Sequence, residues 1–314
     1  MRLLPLLACA LLALPARADE ALAMLQRIAE VSRTLTYSGT VMYRSGQRVD
    51  VSRIVHAVKD GVELERVEAL DGSPREVLRA GGETKCFLPE ENLLIVENRA
   101  GQRGFPSLLP AGLGTLPEHY VIRRGGSGRV AGMASRGLRI EPRDGLRYGH
   151  ELWIDEASGL LLKASMLGGR GETLETVAFT QVSIGGPLEQ GALEPRYRSE
   201  RVKVQHVRTT EIRGEDLGWN FRHPLPGFRK LSAMKRQAAP DQAEGLHVVF
   251  SDGLASISVF IEPGPLSGEA GAIASMGPLN IYRRQVGDHR AVVMGEVPPL
   301  AVQRLGDGIE RRRK

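Results

Sequence analysis

Residues 147–185, RYGHELWIDEASGLLLKASMLGGRGETLETVAFTQVSIG, constrain the fold more than any other stretch. They read as three consecutive strands, His150 to Asp155, Leu160 to Leu167 and Leu174 to Ile184, broken by Ala157-Ser158-Gly159 and Gly168-Gly169-Arg170-Gly171. His150, Leu152 and Ile154 share one face of the first strand, and Glu151 and Asp155 the other, the period of a sheet with one wet side. Leu160, Leu162, Ala164 and Met166 give the second strand an apolar face, and Leu174, Ala178, Val182 and Ile184 are read in phase on the third. A meander of this kind needs a cover for its apolar side.

The same punctuation runs upstream. Strands are expected at Tyr37 to Arg44 (Tyr37, Gly39, Val41 and Tyr43 in phase), Arg48 to Val58, Val62 to Ala69, Arg75 to Ala80, Thr84 to Leu88 and Leu93 to Glu97, with turns at Asp60-Gly61, Asp71-Gly72 and Gly81-Gly82. Tyr120 to Arg124, Gly128 to Ala134 and Gly137 to Pro142 complete the set. Helical signals are few: Glu20 to Arg33 is amphipathic with Asp19 available as a cap, and a short helix begins at Pro298-Pro299. The fold class is therefore mainly β (α+β), with a large antiparallel sheet that curls into an open barrel. Residues 99–118, rich in Gly, Pro and Leu, form a loop of the kind that covers something or moves.

Met1 to Ala18 have a basic start, an apolar run and Ala16-Arg17-Ala18, so they read as a cleavable export signal. Cleavage at Cys9 as a lipoprotein would leave almost no apolar core to the signal. Export removes Cys9 and leaves Cys86 without an intramolecular partner. Taking Arg2 and Arg17 from the 42 basic residues leaves 40 against 37 acidic ones, a balance that gives no reason to expect nucleic acid. The division expected is signal 1–18, first domain 19–190, linker 191–215 with Val202, Val204 and Val207 resting on a domain surface, and second domain 216–314. The second domain holds the hairpin Leu246–Ser251/Leu254–Glu262, with Ala255, Ile257, Val259 and Ile261 in phase, and a second hairpin over Gly287-Asp288.

Motifs for chemistry are missing. No histidine pairs at metal-ligand spacing, no C-x-x-C occurs, and Gly126-Ser127-Gly128 leads into strand rather than a nucleotide-binding helix, so neither metal, cofactor nor enzyme is expected. Two features remain. Interior positions Tyr37, Val41, Tyr43, Leu152, Ile154, Leu162 and Met166 form either plain core or a ligand cavity. Arg123, Arg124, Arg129, Arg139 and Arg143 form either a wet sheet face or a basic rim for anionic head groups.

The blocks YSGTVMYRSG, LERVEALDGSPREVLR, RYGHELWIDEASGLLLKASML with AFTQV, LPGFRKL, FSDGLASISVFIEP and VVMGEVP, in order from Leu22 to Val297, resemble the RseB/MucB family of periplasmic sigma-E regulators. The resemblance implies an N-terminal unclosed barrel similar to the lipoprotein carriers LolA and LolB, with helices on its concave side, and a smaller C-terminal domain. It also implies a periplasmic partner, the exposed part of a membrane-spanning anti-sigma factor, which is shielded from proteolysis and released by lipoprotein acyl chains or lipopolysaccharide. Trp219, Phe228, Phe250 and Phe260 are the aromatic anchors expected at that contact, with small-core packing as the other reading. A lipoprotein carrier is the alternative function, and the oligomeric state stays open.

Overall fold

The structure, a computed structural model, describes residues 14–98, 104–109, 113–197, 202–212, 217–237 and 243–312, with side chains from residue 20 onward. Helix α1 (Leu14–Thr34) opens it. Strands β1 (Tyr37–Ser45), β2 (Arg48–Lys59), β3 (Val62–Ala69), β4 (Glu76–Ala80), β5 (Glu83–Leu88) and β6 (Leu93–Asn98) follow. After the one-turn helix α2 (Leu116–His119) come β7 (Tyr120–Val130), β8 (Met133–Pro142), β9 (Gly149–Asp155), β10 (Leu161–Leu167) and β11 (Thr173–Ile184). Beyond β12 (Lys203–Glu211) lie β13 (Trp219–Phe221), β14 (Arg229–Gln237), β15 (Gly245–Ser251), β16 (Ser256–Pro263), β17 (Ile273–Met276), β18 (Leu279–Val286) and β19 (His289–Gly295). Helix α3 (Pro299–Asp307) and β20 (Ile309–Arg311) close the chain.

The first sheet is antiparallel, in the order β6-β5-β4-β3-β2-β1-β11-β10-β9-β8-β7. Its end strands β6 and β7 are not paired with each other among the described residues, so the barrel is unclosed. Strand β12 runs parallel to β6 over Lys203–Val207 and then antiparallel to β14 over Arg208–Glu211. The two sheets are thereby one hydrogen-bonded surface, continuing β12-β14-β15-β16-β19-β18-β17. Helix α3 packs on β18 and β19, and a small β13–β20 pair completes that second unit. No described helix is long and apolar enough to cross a membrane.

Four expectations change. The regions read as three strands between Tyr120 and Pro142 are two, β7 and β8, turning at Ala131-Gly132. Gly125 and Gly126 sit at a bulge rather than a break, and Gly137 faces them so closely that a Cβ on Gly125 would lie 3.0 Å from the Gly137 carbonyl carbon. On β11 the phase read through Leu174, Ala178, Val182 and Ile184 is broken by a bulge opposite Thr40/Val41. Val177 and Phe179, not Ala178, therefore join the interior cluster before the bulge, with Val182 and Ile184 after it. Asp19 lies within α1 rather than capping it, since the helix already runs from Leu14. Half of the described part of the expected linker is strand β12, where Val207 is buried and Val204 exposed.

Candidate functional site: the filled trough and the seam between sheets

Helix α1 presents Ala21, Leu25, Ile28 and Ala29 at helical spacing, and all are buried in the hollow of the first sheet. They meet Leu138, Ile140, Leu152 and Ile154 of β8 and β9, together with Leu109, Leu113 and Leu116 from the Gly- and Pro-rich segment. The described part of that segment does cover something: with α1 it fills the hollow. A second cluster, around Tyr37, Val41, Ile54, Leu160, Leu162 and Phe179, continues the packing and shares Phe105 with the first.

The expected cavity residues thus divide. Tyr37, Val41, Leu152, Ile154 and Leu162 are core, packed against the protein's own side chains. Met166 is buried too, whereas Tyr43 is half-exposed. Register places Tyr43, Val177, Glu175, Met166 and His150 on this same interior face, at the end that meets the second sheet. The end is polar. Tyr43 Oη donates to Glu175 Oε2 at 2.7 Å, and burial followed by that carboxylate pushes the phenol up to about 12. Burial also raises Glu175, and lowers His150 to about 4. Glu296, just after β19, has an exposed side chain, and desolvation and then Glu175 raise it to about 7.

The seam beside this end is locked by one guanidinium. Arg147 has a fully buried side chain; its Nε donates to Asp252 Oδ2 at 2.6 Å, and its other nitrogens donate to Asp144 and to the Pro226 carbonyl. Tyr120 Oη donates to the same Asp252 Oδ2 at 2.9 Å, while Asp252 Oδ1 accepts the backbone N–H groups of Leu254 and Ala255. Burial, then Asp252, holds the Tyr120 phenol far above its ordinary range. Arg147 also lies 4.9 Å from the Phe228 ring centroid. Apolar residues cross the seam in both directions, Leu254 against the trough cluster and Leu146 into the core of the second sheet. Asp252 looks like a plain hairpin residue in sequence, and Arg147 like one of several arginines; only the pairing of residues 105 positions apart reveals them.

The five arginines do not form one rim. Arg123, Arg124 and Arg139 line a cavity of about 330 Å³ with Gly125, Gly126, Gly137 and Trp153, but Glu141 and Glu151 line it too. Arg123 and Arg139 both pair with Glu141, and Arg124 with Glu20 of α1. Arg129 instead donates to the Gly132 carbonyl, and Arg143 to that of Pro117. Of the four aromatics, Phe228 is core and Trp219 and Phe250 pack against that core. Phe260 alone lies on the other face, stacked on His247 at 4.2 Å.

A filled trough locked to a second sheet by a buried ionic hinge defines a two-domain β-protein. The family signatures of the MucB/RseB N-terminal domain and the MucB/RseB C-terminal domain match residues 20–197 and 213–310, so the chain belongs to the MucB/RseB family. It is 33% identical to the sigma factor AlgU regulatory protein MucB of Pseudomonas aeruginosa, over 96% of this chain and 94% of that one. To the sigma-E factor regulatory protein RseB of Salmonella typhimurium it is 27% identical, over 92% and 90%. The fold is similar to that of MucB in the P. aeruginosa MucA/MucB complex, with a TM-score of 0.73 and 29% identity, covering 94% of this chain and 100% of that one.

Proposed function

We propose that this protein is a periplasmic negative regulator of a sigma-E type envelope-stress response. It binds the periplasmic segment of a membrane-spanning anti-sigma factor, shields that segment from proteolysis, and releases it when acyl chains of lipoprotein or lipopolysaccharide engage the trough. The likeness over nearly the whole chain to a MucB bound to MucA carries this reading. The filled hollow sets a condition on release. Lifting Leu109, Leu113 and Leu116 out of the trough costs on the order of 5–9 kcal/mol at roughly 1.5–3 each. Ten methylenes of an acyl chain return about 8 kcal/mol, so one chain is balanced and two chains shift the equilibrium. A lipoprotein carrier, the alternative, is disfavoured by a hollow already occupied by the chain's own residues.

The test is a titration of the purified chain with the periplasmic segment of its host's MucA-type anti-sigma factor, repeated under protease and with lipopolysaccharide. Binding, protection of the segment, and at least tenfold weaker affinity with lipid are expected. Unchanged affinity at saturating lipopolysaccharide and lipoprotein mimic overturns lipid release, and absence of binding overturns the regulatory reading itself.

A further inference from the structure

Strands β8 and β9 send alternate residues to opposite sides of the first sheet. Leu138, Ile140, Leu152 and Ile154 enter the trough, so Gly137, Arg139, Glu151 and Trp153, which alternate with them, face outward. The cavity of about 330 Å³ lies on this outer side, at the lower end of the roughly 300–1,000 Å³ usual for small-molecule sites. Its wall is built around one half-exposed indole. Trp153 is paired in register with Gly137, and a Cβ on Gly128 would come within 2.8 Å of Trp153 Cζ3. Gly126 lines the same space without a positive φ and with nothing within 4 Å of a Cβ placed on it, so the strand itself does not call for glycine there. Glycine weakens a strand interior and often marks the place where a ligand comes close.

We propose that this cavity binds a neutral pyranose ring of a glycan chain, stacked on Trp153 and hydrogen-bonded by Arg123, Arg139, Glu141 and Glu151. Charge selects the class of ligand. Arg124 is engaged by Glu20, which leaves two guanidiniums beside two carboxylates along the wall. An anion meets Glu141 and Glu151, and a cation meets Arg123 and Arg139. An uncharged group with both donors and acceptors suits all four, because a sugar hydroxyl donates to a carboxylate and accepts from a guanidinium. The protein groups are free to make those bonds. Arg123 and Arg139 share Glu141, at 3.6 and 3.1 Å, through exposed side chains whose ion pairs are weak and exchangeable. Glu151 makes no hydrogen bond or ion pair among the described residues.

The indole supplies the apolar half of the site. The C–H groups on one face of a pyranose carry a slight positive charge and rest on the negative face of an aromatic ring. Trp153 Nε1 is buried with no acceptor among the described residues, a costly arrangement that packing alone does not ask for. With that edge turned in, the accessible part of the ring is carbon.

The test is a titration of the full chain with chitotetraose and with maltotetraose, soluble sugars that carry no acyl chain for the trough, read by calorimetry and by tryptophan fluorescence. Millimolar or tighter binding of at least one is expected, and the preference separates an N-acetylated β-linked glycan from an α-glucan. Trp153→Ala and Glu151→Ala should each weaken binding by about tenfold or more. Gly126→Val, which adds a side chain at the cavity wall where a Cβ meets open space, should do the same with an unchanged urea midpoint, so that loss of binding is not loss of fold. Absence of heat and of any fluorescence change with both sugars up to about 10 mM overturns the proposal. Sugar binding that Trp153→Ala and Gly126→Val leave intact also overturns it, as does binding of inorganic phosphate or dextran sulfate in place of the sugars, the behaviour of a plain basic patch. These outcomes are independent of the anti-sigma titration, so the regulatory reading stands or falls separately.

Discussion

Replacing Arg147 by Met removes the charge at the seam while keeping most of the side-chain volume. The wild-type side chains of Arg147 and Asp252 are both fully buried, 2.6 Å apart. Removing one member of such a pair typically costs 3–5 kcal/mol, because the other is left charged in a dry site. Asp252 keeps Tyr120 Oη at 2.9 Å and the N–H groups of Leu254 and Ala255 at 2.9 and 2.8 Å, which places the loss near the lower end, about 3 kcal/mol. Because Asp252 and Pro226 lie on the far side of the seam, the loss falls on the contact between the sheets rather than on either core. Urea unfolding followed by both tryptophan fluorescence and circular dichroism should therefore split from one transition into two, the hallmark of uncoupled domains. The double variant Arg147→Met/Asp252→Asn should recover part of the loss, with a coupling of about 2 kcal/mol or more between the sites. A single variant within about 0.5 kcal/mol of wild type, unfolding in one transition, would refute the claim that this pair locks the seam.

Glu296→Gln should remove a pH dependence. The folded carboxyl titrates near 7 against an ordinary value of 4.5, so its contribution is full below pH 4.5 and is lost as pH rises to 7. A shift of this size carries roughly 3 kcal/mol in a dry site, but the exposed side chain is screened, so the variant should gain about 1 kcal/mol at pH 8 and nothing at pH 4; equal gains at both refute it. Glu76 is buried against Arg66 and accepts the backbone N–H groups of Arg196 and Tyr197, tying down the chain before β12. Glu76→Ala should cost about 2–4 kcal/mol and speed tryptic cleavage at Arg196; an unchanged cleavage rate would show that this tether is not made in solution.

Periodicity and turn residues carry most of the architecture in plain view. Asp60 and Gly61 both take positive φ, 51° and 76°, as a two-residue hairpin requires, and Ala255, Ile257, Val259 and Ile261 are buried as their alternation demands. What alternation hides is the bulge. A single extra residue at Thr180 inverts the phase of β11, and Gly125-Gly126 reads as a stop although the strand continues through it. The trough is a harder case. Tyr37, Leu152 and Leu162 are interior, but whether an apolar hollow is empty or filled depends on where Phe105, Leu109, Leu113 and Leu116 come to lie, a long-range question that local pattern does not address. The aromatics show the same limit. Phe250 and Phe260 lie in neighbouring strands of one hairpin, yet one faces the core and the other the open side.

A ligand in the trough can weaken partner binding only if the two occupants favour different arrangements of the chain. The contacts supply a route for that difference. Leu116, buried in the trough, belongs to the single turn of α2 that runs directly into Tyr120, and Tyr120 holds Asp252. Asp252 in turn fixes the turn of the β15–β16 hairpin, whose second strand carries Phe260 on the face opposite the core. Movement of Leu113 and Leu116 out of the hollow would therefore pull on the hydrogen bond from Tyr120 to Asp252, and Leu254, seated in the trough cluster from that same hairpin, would lose packing at the same time. Both effects act on one hairpin. Displacement of Leu116 and Leu254 from the trough would thus loosen the hairpin that carries Asp252, a coupling that two independently folded domains on a flexible tether could not provide.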